Sequence, residues 1–420
     1  MNPRRTFIKQ LAMTTTAGVW THVTSWADVE KMILPLQANE DDFWGWVRSQ
    51  YTISSNMINL NNGGVSPQPK SVQDALFRYT EMANEAPSYY LWRILDEGKE
   101  HVRKKLADLL RVSPDEVAIN RNTTESLMTV IHGIPLRKGD EVVLSKYDYP
   151  RMMNAWKARE KRDGIVLKWV DFDFPENDPA SIATKYTSLF TPKTKVVQLT
   201  HMINWVGQML PIKEIAIEAK KAGIKTILDA AHTFAHIDFS LADGYIDYMG
   251  ASLHKWLCAP FGTGLLYIRK SEIQNVPAFF TEDPTMKNEN IRKFEELGTR
   301  ASTSELAIGN AIDFHNIIGI RRKQRQLYEL KQYWTNQVKG FPTISILTPE
   351  NEKLSGAIGF LSIQGKEGQE IEQYLFKHYR IHSTTIKHEK LNGIRITPNV
   401  YTTRYELDML VEGLKKMAES

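Results

Sequence analysis

The chain has 420 residues and a net charge of +4, and it is 42% hydrophobic, 24% charged and 10% aromatic. A chain of this length favours two lobes over a single core, and its ordinary composition excludes disordered and collagen-like proteins. The small net charge, without a long block of one sign, gives no indication of nucleic-acid binding, and the basic run at residues 321–325 is best explained as a solvated helix face.

The N-terminal segment "NPRRTFIKQLAMTTTAGVW" has the residue order of a twin-arginine export signal. Arg4 and Arg5 precede a mildly apolar stretch, no acidic residue occurs before Asp28, and "SWA" ends at Ala27 in a small residue that suits cleavage. We therefore predict a signal peptide over residues 1–27, a mature protein that is periplasmic or otherwise exported, and the twin-arginine export machinery as a partner. A basic tail without a targeting role is the alternative. The apolar stretch is too short and too polar to predict a membrane span.

Short β-rich runs alternate with amphipathic stretches from about residue 110 to residue 270. The runs that predict strands lie at residues 141–145, 195–201, 225–232 and 264–270. Helices are predicted at residues 150–164 and 211–223, and each of them ends in a glycine. This alternation predicts an α/β lobe with a largely parallel sheet and helices on both faces.

The pattern changes near residue 302. A long helical stretch, a strand, a shorter helix and a second strand are predicted there, at residues 303–334, 355–365, 368–379 and 392–403. We therefore predict a large lobe over residues 28–301 and a smaller C-terminal α+β lobe over residues 302–420.

Several polar residues lie next to the predicted strands. Asp229 ends the apolar run "TIL", His201 and Asn204 follow "VVQLT", and Lys255 precedes the next strand. Because ligands of parallel α/β sheets bind at the carboxyl ends of the strands, these residues indicate one shared cleft. Lys255 and Asp229 could form a structural ion pair. They could instead serve pyridoxal phosphate, whose aldehyde forms an imine with a lysine and whose ring nitrogen needs an acidic partner.

The motifs "DAAHTF", "SLHKWL" and "FGTGLLYIRK" resemble the class V aminotransferase family of pyridoxal phosphate enzymes, which have fold type I. The resemblance extends from "INLNNGGVSP" near Ile58 to "GIRITPNVYTT" near Thr403. The family includes cysteine desulfurases, isopenicillin N epimerase-like proteins, kynureninases and aminotransferases. The resemblance implies pyridoxal 5'-phosphate as the cofactor, with Lys255 as the lysine that forms the imine.

Matching positions in the family's motifs imply further roles around the cofactor ring. Asp229 would pair with the pyridine nitrogen, His232 would approach the 3-oxygen, and Asn204 would lie at the ring edge. Tyr149, where desulfurases have a histidine, would stack on the ring; a core tyrosine before a helix-starting proline is the alternative. A core histidine that orients the turn is the preferred interpretation of His201.

The segment "NRNTTESLMTV" resembles the family's phosphate loop. Thr123 and Thr124 open a predicted helix, where free backbone N–H groups and the helix dipole favour a dianion. A plain helix N-cap formed by one of these threonines is the alternative. Ser252 and His254 match phosphate contacts of the family. Thr299 in "ELGTRAST" matches a threonine that reaches the phosphate of a neighbouring subunit, which implies a homodimer.

Two residues are predicted to bind a small amino-acid-type substrate. Arg395 in "GIRITP" matches the arginine that holds the substrate α-carboxylate in a bidentate pair, with an ordinary ion-pair role as the alternative. Asn62, in "NNGG", is the second predicted substrate-binding residue. No metal site is predicted.

The sequence departs from the cysteine desulfurases at one point. They need a nucleophilic cysteine on a mobile loop of the small lobe, and "RIHSTTIKHEKLNG" contains none. The single cysteine, Cys258, lies three residues after Lys255; it excludes an internal disulfide and is interpreted as a buried structural thiol. Sulfur transfer through a persulfide is therefore disfavoured.

Transamination, epimerisation and elimination all need Lys255 as a proton carrier. The variants "NNGG", "YDYP" and "GTRA" are most similar to the isopenicillin N epimerase-like branch, so we expect an aminotransferase or an epimerase that acts on an amino acid or an amino-acid-derived, peptide-like substrate. A catalytically inactive module that binds the cofactor or a peptide is the alternative. A dinucleotide-binding oxidoreductase has the least support, because no G-x-G-x-x-G follows an early strand.

Overall fold

The computed structural model describes residues 39–278 and 283–419. The predicted signal peptide at residues 1–27 lies outside the described residues. In the described ranges, no helix combines the length and the apolar character that crossing a bilayer requires.

The chain divides into two units, residues 1–49 and residues 50–420. The first unit contributes one described helix, α1 (Glu40–Ser49), whose first turn carries three acidic residues. Acidic side chains at this end of a helix interact favourably with its dipole. The second unit contains all other described elements and the candidate site.

The second unit alternates strands and helices over most of its length. Its strands are β1 (Ile58–Asn59), β2 (Val117–Asn120), β3 (Glu141–Ser145), β4 (Val166–Val170), β5 (Thr194–Thr200), β6 (Lys225–Asp229), β7 (Tyr248–Ser252), β8 (Gly264–Ile268), β9 (Ile344–Ile346), β10 (Gly359–Ile363), β11 (Ile381–His382), β12 (Thr384–His388) and β13 (Leu391–Ile396). Its longer helices are α2 (Lys70–Glu85), α3 (Asp96–Leu110), α4 (Thr123–Gly133), α5 (Pro150–Asp163), α6 (Pro179–Thr187), α7 (Ile212–Lys221), α8 (Ser302–Ile318), α9 (Ile320–Val338), α10 (Gly368–Tyr379) and α11 (Arg404–Glu419).

A seven-stranded sheet forms the centre of this unit, in the order β2-β8-β7-β6-β5-β3-β4. The strands from β7 to β4 pair in parallel, and β8 pairs antiparallel with both β7 and β2. The predicted α/β fold with a mostly parallel sheet, fold type I, is therefore confirmed. Because parallel strands end at the same edge of a sheet, the C-terminal residues of β5, β6 and β7 lie close together at that edge.

Both faces of the seven-stranded sheet are buried. Successive strand residues enter different hydrophobic clusters: Val197 and Leu228 pack in one cluster, and Val196 and Ile227 pack in the other. Side chains of a strand alternate between the two faces, so a strand covered on both sides reads as a continuous apolar run. Helices α3, α6, α7 and α8 contribute to the first cluster, and α4 and α5 contribute to the second.

The outer edge of β2 is covered by side chains of three charged residues. Arg103 donates to the carbonyl of Val117 (2.7 Å), and the carboxylate of Glu295 accepts from the N–H of Ile119 (2.7 Å). Arg300 donates to the carbonyl of Ile119 (3.0 Å). These bonds satisfy backbone groups that an open strand edge would leave exposed, and they attach Glu295 and Arg300 to β2.

A four-stranded antiparallel sheet, β12-β13-β10-β9, lies in the C-terminal part of the chain, and β1 pairs in parallel with β11. A third hydrophobic cluster combines this sheet with α9, α10 and α11. Helix α8 packs instead against α2 and α3. The lobe boundary near residue 302 stays a prediction. In the structure, the core of the C-terminal sheet contains Leu60, from near the start of the second unit, as well as residues from α9 onwards.

The long helical stretch predicted at residues 303–334 is helical in the structure, with a break at one residue. The structure has two helices there, α8 and α9, with Gly319 between them at a φ of +81°. This backbone angle is far from the helical region, so the hydrogen-bond ladder stops. The amphipathic pattern runs through Gly319 because both helices have buried faces. The strands predicted at residues 195–201, 225–232 and 264–270 end earlier, at Thr200, Asp229 and Ile268.

Candidate active site

A cavity of about 490 Å³ lies where β5, β6 and β7 end and α4 begins. Residues of β12 and β13 form part of its wall. Of the twelve predicted site residues, those that line this cavity are Thr123, Thr124, Tyr149, Asn204, Asp229, His232, Ser252, His254, Lys255 and Arg395. The structure thus collects side chains that are up to 272 positions apart, from position 123 to position 395.

Lys255 follows β7 in a short turn and is partly buried. Its Nζ lies 3.0 Å from Nε2 of His232. Burial lowers the pKa of Lys255 to about 8, and the positive charge of Arg395 acts in the same direction, while Asp229 opposes it. The lysine therefore reaches its neutral, nucleophilic state much closer to physiological pH than an exposed lysine does.

This shift predicts how the apoprotein captures added pyridoxal phosphate. A group with a pKa of about 8 is roughly one-tenth neutral at pH 7, against roughly one part in 2,500 for an ordinary lysine. We expect the capture rate, followed by absorbance, to rise with pH through a midpoint near 8. Arg395→Met should move that midpoint upwards, because a neighbouring positive charge is removed. A midpoint at the ordinary lysine value, or one that Arg395→Met leaves in place, would contradict the assignment.

Asp229 is the last residue of β6 and is 4% exposed. Its Oδ1 accepts a hydrogen bond from the N–H of Ala231 (2.9 Å). Burial raises the pKa of Asp229, while the bond from Ala231 and the charge of Lys255 act in the opposite direction. A buried carboxylate of this kind is suited to a cationic ring nitrogen, which would stabilise the charged form.

The start of α4 meets the end of β7. The hydroxyls of Thr123 and Ser252 lie 2.8 Å apart, and the N–H of Thr123 donates to the Ser252 hydroxyl (3.0 Å). The alternative of a threonine N-cap is wrong, because Asn122 caps α4 by accepting from the N–H of Glu125 (2.9 Å). Both threonines therefore lie inside the first turn of α4, where backbone N–H groups favour an anion.

The close approach of β8 to this turn depends on Gly264. A Cβ at Gly264 would lie 2.5 Å from the backbone nitrogen of Asn122. Any larger residue would therefore push the start of α4 away from the sheet. Next to it, the ring Nδ1 of His254 lies 3.2 Å from the carbonyl of Thr263.

Tyr149 precedes α5 and is 38% exposed, so it is not a core tyrosine. It lines the cavity together with Arg151 and Trp205, which were not predicted. The indole of Trp205 donates to the carbonyl of Tyr147 (3.1 Å) and stacks on His388, with ring centroids 4.6 Å apart.

Sequence reasoning also missed Thr384, Thr385 and Ile386 of β12, which line the cavity. The segment "RIHSTTIKHEKLNG" contains them, but only the pairing of β12 with β13 shows that they lie beside Arg395. Trp205 could have been predicted from the sequence, because it follows the predicted site residue Asn204 directly in "HMINWVG".

Arg395 lies on β13 and is 7% exposed. Its Nη1 donates to the carbonyl of Asn204 (2.9 Å), and its Nη2 donates to Oδ1 of Asn61 (3.1 Å). Burial lowers the pKa of Arg395 to about 10. Within residues 39–278 and 283–419, no carboxylate lies at ion-pair distance from this guanidinium, so the described residues do not give Arg395 the ordinary ion-pair role.

Two predicted site residues do not line the cavity. The amide of Asn62 donates to two carbonyls (3.1 and 2.9 Å) and accepts from Tyr401 (2.6 Å) and Asn59 (3.1 Å), which uses all its hydrogen-bonding positions. Its neighbour Asn61, which was not predicted, contacts Arg395 instead. Thr299 is exposed in a turn, so its predicted contact across a subunit boundary stays a prediction.

His201 is buried outside the cavity lining. Its ring packs edge-on against Phe239 at 5.0 Å, and burial lowers its pKa to about 3. A histidine that stays neutral in the core fits the preferred interpretation of this residue.

Three buried polar atoms in the cavity wall have no hydrogen-bond partner among the residues that the structure describes: Nδ1 of His232, Oδ1 of Asn204 and Nε of Arg395. Buried polar atoms are seldom left without a partner, and groups of this kind suit a ligand with its own donors and acceptors. Together with the carboxylate of Asp229, the amine of Lys255 and the first turn of α4, these atoms fit the ring, the aldehyde and the phosphate of pyridoxal phosphate.

The family model for class-V aminotransferases matches residues 58–409, which include every residue of this cavity wall. The chain belongs to the class-V aminotransferase family. Its cofactor is accordingly pyridoxal phosphate, and the class-V chain has residues in place for each part of that cofactor.

Several known proteins are similar to this class-V chain. The isopenicillin N epimerase of Streptomyces clavuligerus is 27% identical over 392 residues, which cover 88% of this chain and 97% of that protein. A probable cysteine desulfurase of Synechocystis sp. is 26% identical over 402 residues, which cover 88% of this chain and 94% of that protein. The solved cysteine desulfurase of Thermococcus onnurineus NA1 superposes with a TM-score of 0.80 at 22% identity, covering 91% of this chain and 99% of that one, and it shows the shared fold.

Proposed function

We propose that this class-V enzyme removes the α-proton of an amino acid or of a peptide-like amino-acid derivative, and that the reaction ends in epimerisation or transamination. One observation carries the proposal. A lysine with a lowered pKa lies in the same cavity as a buried carboxylate and a buried arginine for which the described residues offer no carboxylate partner.

Each of these side chains has a defined task. Arg395 keeps an unpartnered Nε and can hold a substrate carboxylate in a bidentate pair. Lys255 can take a proton from the substrate and return it, because its pKa of about 8 is close to the working pH. Asp229 stabilises positive charge at the ring nitrogen. When bound, pyridoxal phosphate supplies the electron sink that makes the α-proton acidic.

The structure supports a reaction other than sulfur transfer, although some relatives are named desulfurases. Cys258 is 1% exposed, and its sulfur contacts the hydroxyl of Tyr51 (3.7 Å) and the amide of Asn399 (3.8 Å). The small-lobe segment that faces the cavity is the paired strand β12, which presents two threonines and an isoleucine. The chain has no other thiol to act as a nucleophile.

Proton exchange in deuterated water tests this function directly. The purified protein, loaded with pyridoxal phosphate, is incubated with L- and D-amino acids and with dipeptides, and the α-proton signal is followed by NMR. We expect loss of that signal with at least one compound. Appearance of the opposite configuration then assigns an epimerase, and appearance of a keto acid assigns an aminotransferase. A protein that binds the cofactor but exchanges no α-proton in this panel would instead be the inactive binding module.

Export and dimer formation also stay proposals. The order of residues around Arg4 and Arg5 supports export through the twin-arginine route. The resemblance of "ELGTRAST", which contains Thr299, to the family motif that reaches a neighbouring subunit supports a homodimer. Cell fractionation and the mass of the purified protein in solution test them.

A further inference from the structure

We infer that Asn61 is a positioning residue that aims Arg395 at the α-carboxylate of the substrate. The inference rests on the proposed function, because it assumes that Arg395 receives a carboxylate. Asn61 lies in the "NNGG" segment after β1, 334 positions from Arg395, and its Oδ1 accepts from Nη2 of Arg395 at 3.1 Å.

Among the described residues, Asn61 is the one side chain that accepts a hydrogen bond from Arg395. The other hydrogen bond of Arg395 goes to the backbone carbonyl of Asn204. Buried arginines are normally paired with carboxylates. A neutral amide oxygen fixes the direction of the guanidinium without cancelling its charge. The positive charge and the Nε donor therefore remain available to a substrate carboxylate.

The amide of Asn61 is itself fixed. Its Nδ2 lies 3.3 Å from Nε2 of His382 on β11, and its backbone N–H donates to Oδ1 of Asn59 (3.1 Å). Rotation of the amide by half a turn would place its NH₂ group against the guanidinium, so that two donors would face each other. The guanidinium of Arg395 thus selects the orientation in which the amide oxygen points to it, and the NH₂ group then lies beside His382.

A second cavity, of about 420 Å³, lies on the other side of Asn61 and is lined by Asn61, His382 and Tyr401. A shortened side chain at position 61 would open to this space. Water can enter a cavity of this size and with these polar groups, so Asn61→Ala need not create a dry void in the core. We therefore expect this variant to fold and to bind the cofactor normally.

Two probes separate positioning of Arg395 from a general structural role: L-alanine, and ethylamine, which lacks the carboxylate. Both are titrated against the loaded protein while the cofactor absorbance is recorded. In Asn61→Ala we expect the half-saturating concentration of L-alanine to rise about tenfold. This is the effect expected when one hydrogen bond to a charged group is lost. The value for ethylamine should change less than about twofold, because ethylamine cannot use Arg395.

Asn61→Asp gives a stronger version of the same test. An aspartate carboxylate there would occupy Arg395, so we expect at least about a hundredfold rise for L-alanine. The maximal exchange rate at saturation should stay within about threefold in the alanine variant, which places the effect on KM rather than on kcat. Asn56→Ala, on the exposed loop before β1, is the control that should leave both probes unchanged.

Three outcomes would overturn the role of Asn61. The half-saturating concentrations of L-alanine and ethylamine could change equally in Asn61→Ala, the value for L-alanine could stay unchanged, or the wild type could fail to respond to L-alanine. These outcomes leave the cofactor absorbance intact. Failure of the wild type to bind pyridoxal phosphate, or to exchange any α-proton, would overturn the proposed function itself, so the two failures can be distinguished.

Discussion

Replacement of Lys255 by alanine is expected to abolish the covalent attachment of the cofactor and to reduce α-proton exchange by at least about 10²- to 10⁴-fold, the usual contribution of a general base. The physical reason is that Lys255 is both the amine next to His232 and the base with a pKa of about 8 in the cavity. Borohydride reduction followed by mass spectrometry measures attachment: the wild-type peptide that contains Lys255 should carry the reduced cofactor, and the variant protein should carry none.

Two variants serve as controls for this result. Lys255→Arg keeps a positive charge but offers no amine, so it should lose attachment as well. Lys221→Ala, at the exposed end of α7, should retain both attachment and exchange. Wild-type exchange in Lys255→Ala, or reduction of the cofactor onto another lysine, would refute the mechanism.

Asp229→Asn is expected to weaken cofactor binding by roughly 10- to 100-fold, which corresponds to the loss of a hydrogen bond between charged groups. The exchange rate should fall further, because a neutral amide no longer holds a positive charge at the ring nitrogen. Asparagine has nearly the same shape and can still accept from the N–H of Ala231. The measurement is a titration of the apoprotein with pyridoxal phosphate, combined with the exchange rate at saturating cofactor.

The stability of the apoprotein separates this role from a structural ion pair. Burial raises the pKa of Asp229, so the charged form costs the folded state free energy as pH rises above the ordinary carboxyl value. Removal of the charge should therefore not lower the thermal midpoint of the apoprotein at pH 7. A lowered midpoint with unchanged cofactor affinity would identify a structural pair.

Asp247→Asn is the matched control for Asp229. Asp247 is also buried, but it lies before β7, at the opposite end of the strand from the cavity. Its carboxylate accepts from the N–H of Thr226 (2.8 Å) and pairs with Arg269 (3.3 Å). We expect this variant to lower the thermal midpoint and to leave cofactor affinity unchanged.

Some features of the site could not be predicted because adjacent residues have equivalent local chemistry. Asn61 and Asn62 are neighbours of one type, and only contacts with β11 and β13 decide that Asn61 faces Arg395 while Asn62 is used internally. In the same way, Asn122 and Thr123 both belong to residue types that cap helices well. The side chain of Thr123 contacts Ser252, 129 positions away, and Asn122 caps α4 instead.

The sequence by itself determined the alternation of strands and helices, the position of Asp229 after the apolar run of one strand and the position of Lys255 before the next predicted strand. These features depend on local periodicity and on short motifs that occupy contiguous stretches. The tertiary structure decided the break at Gly319, the contribution of β12 to the cavity wall and the contact between Asn61 and Arg395. Each of these depends on a backbone angle or on a partner far away in the chain, so no local pattern records it.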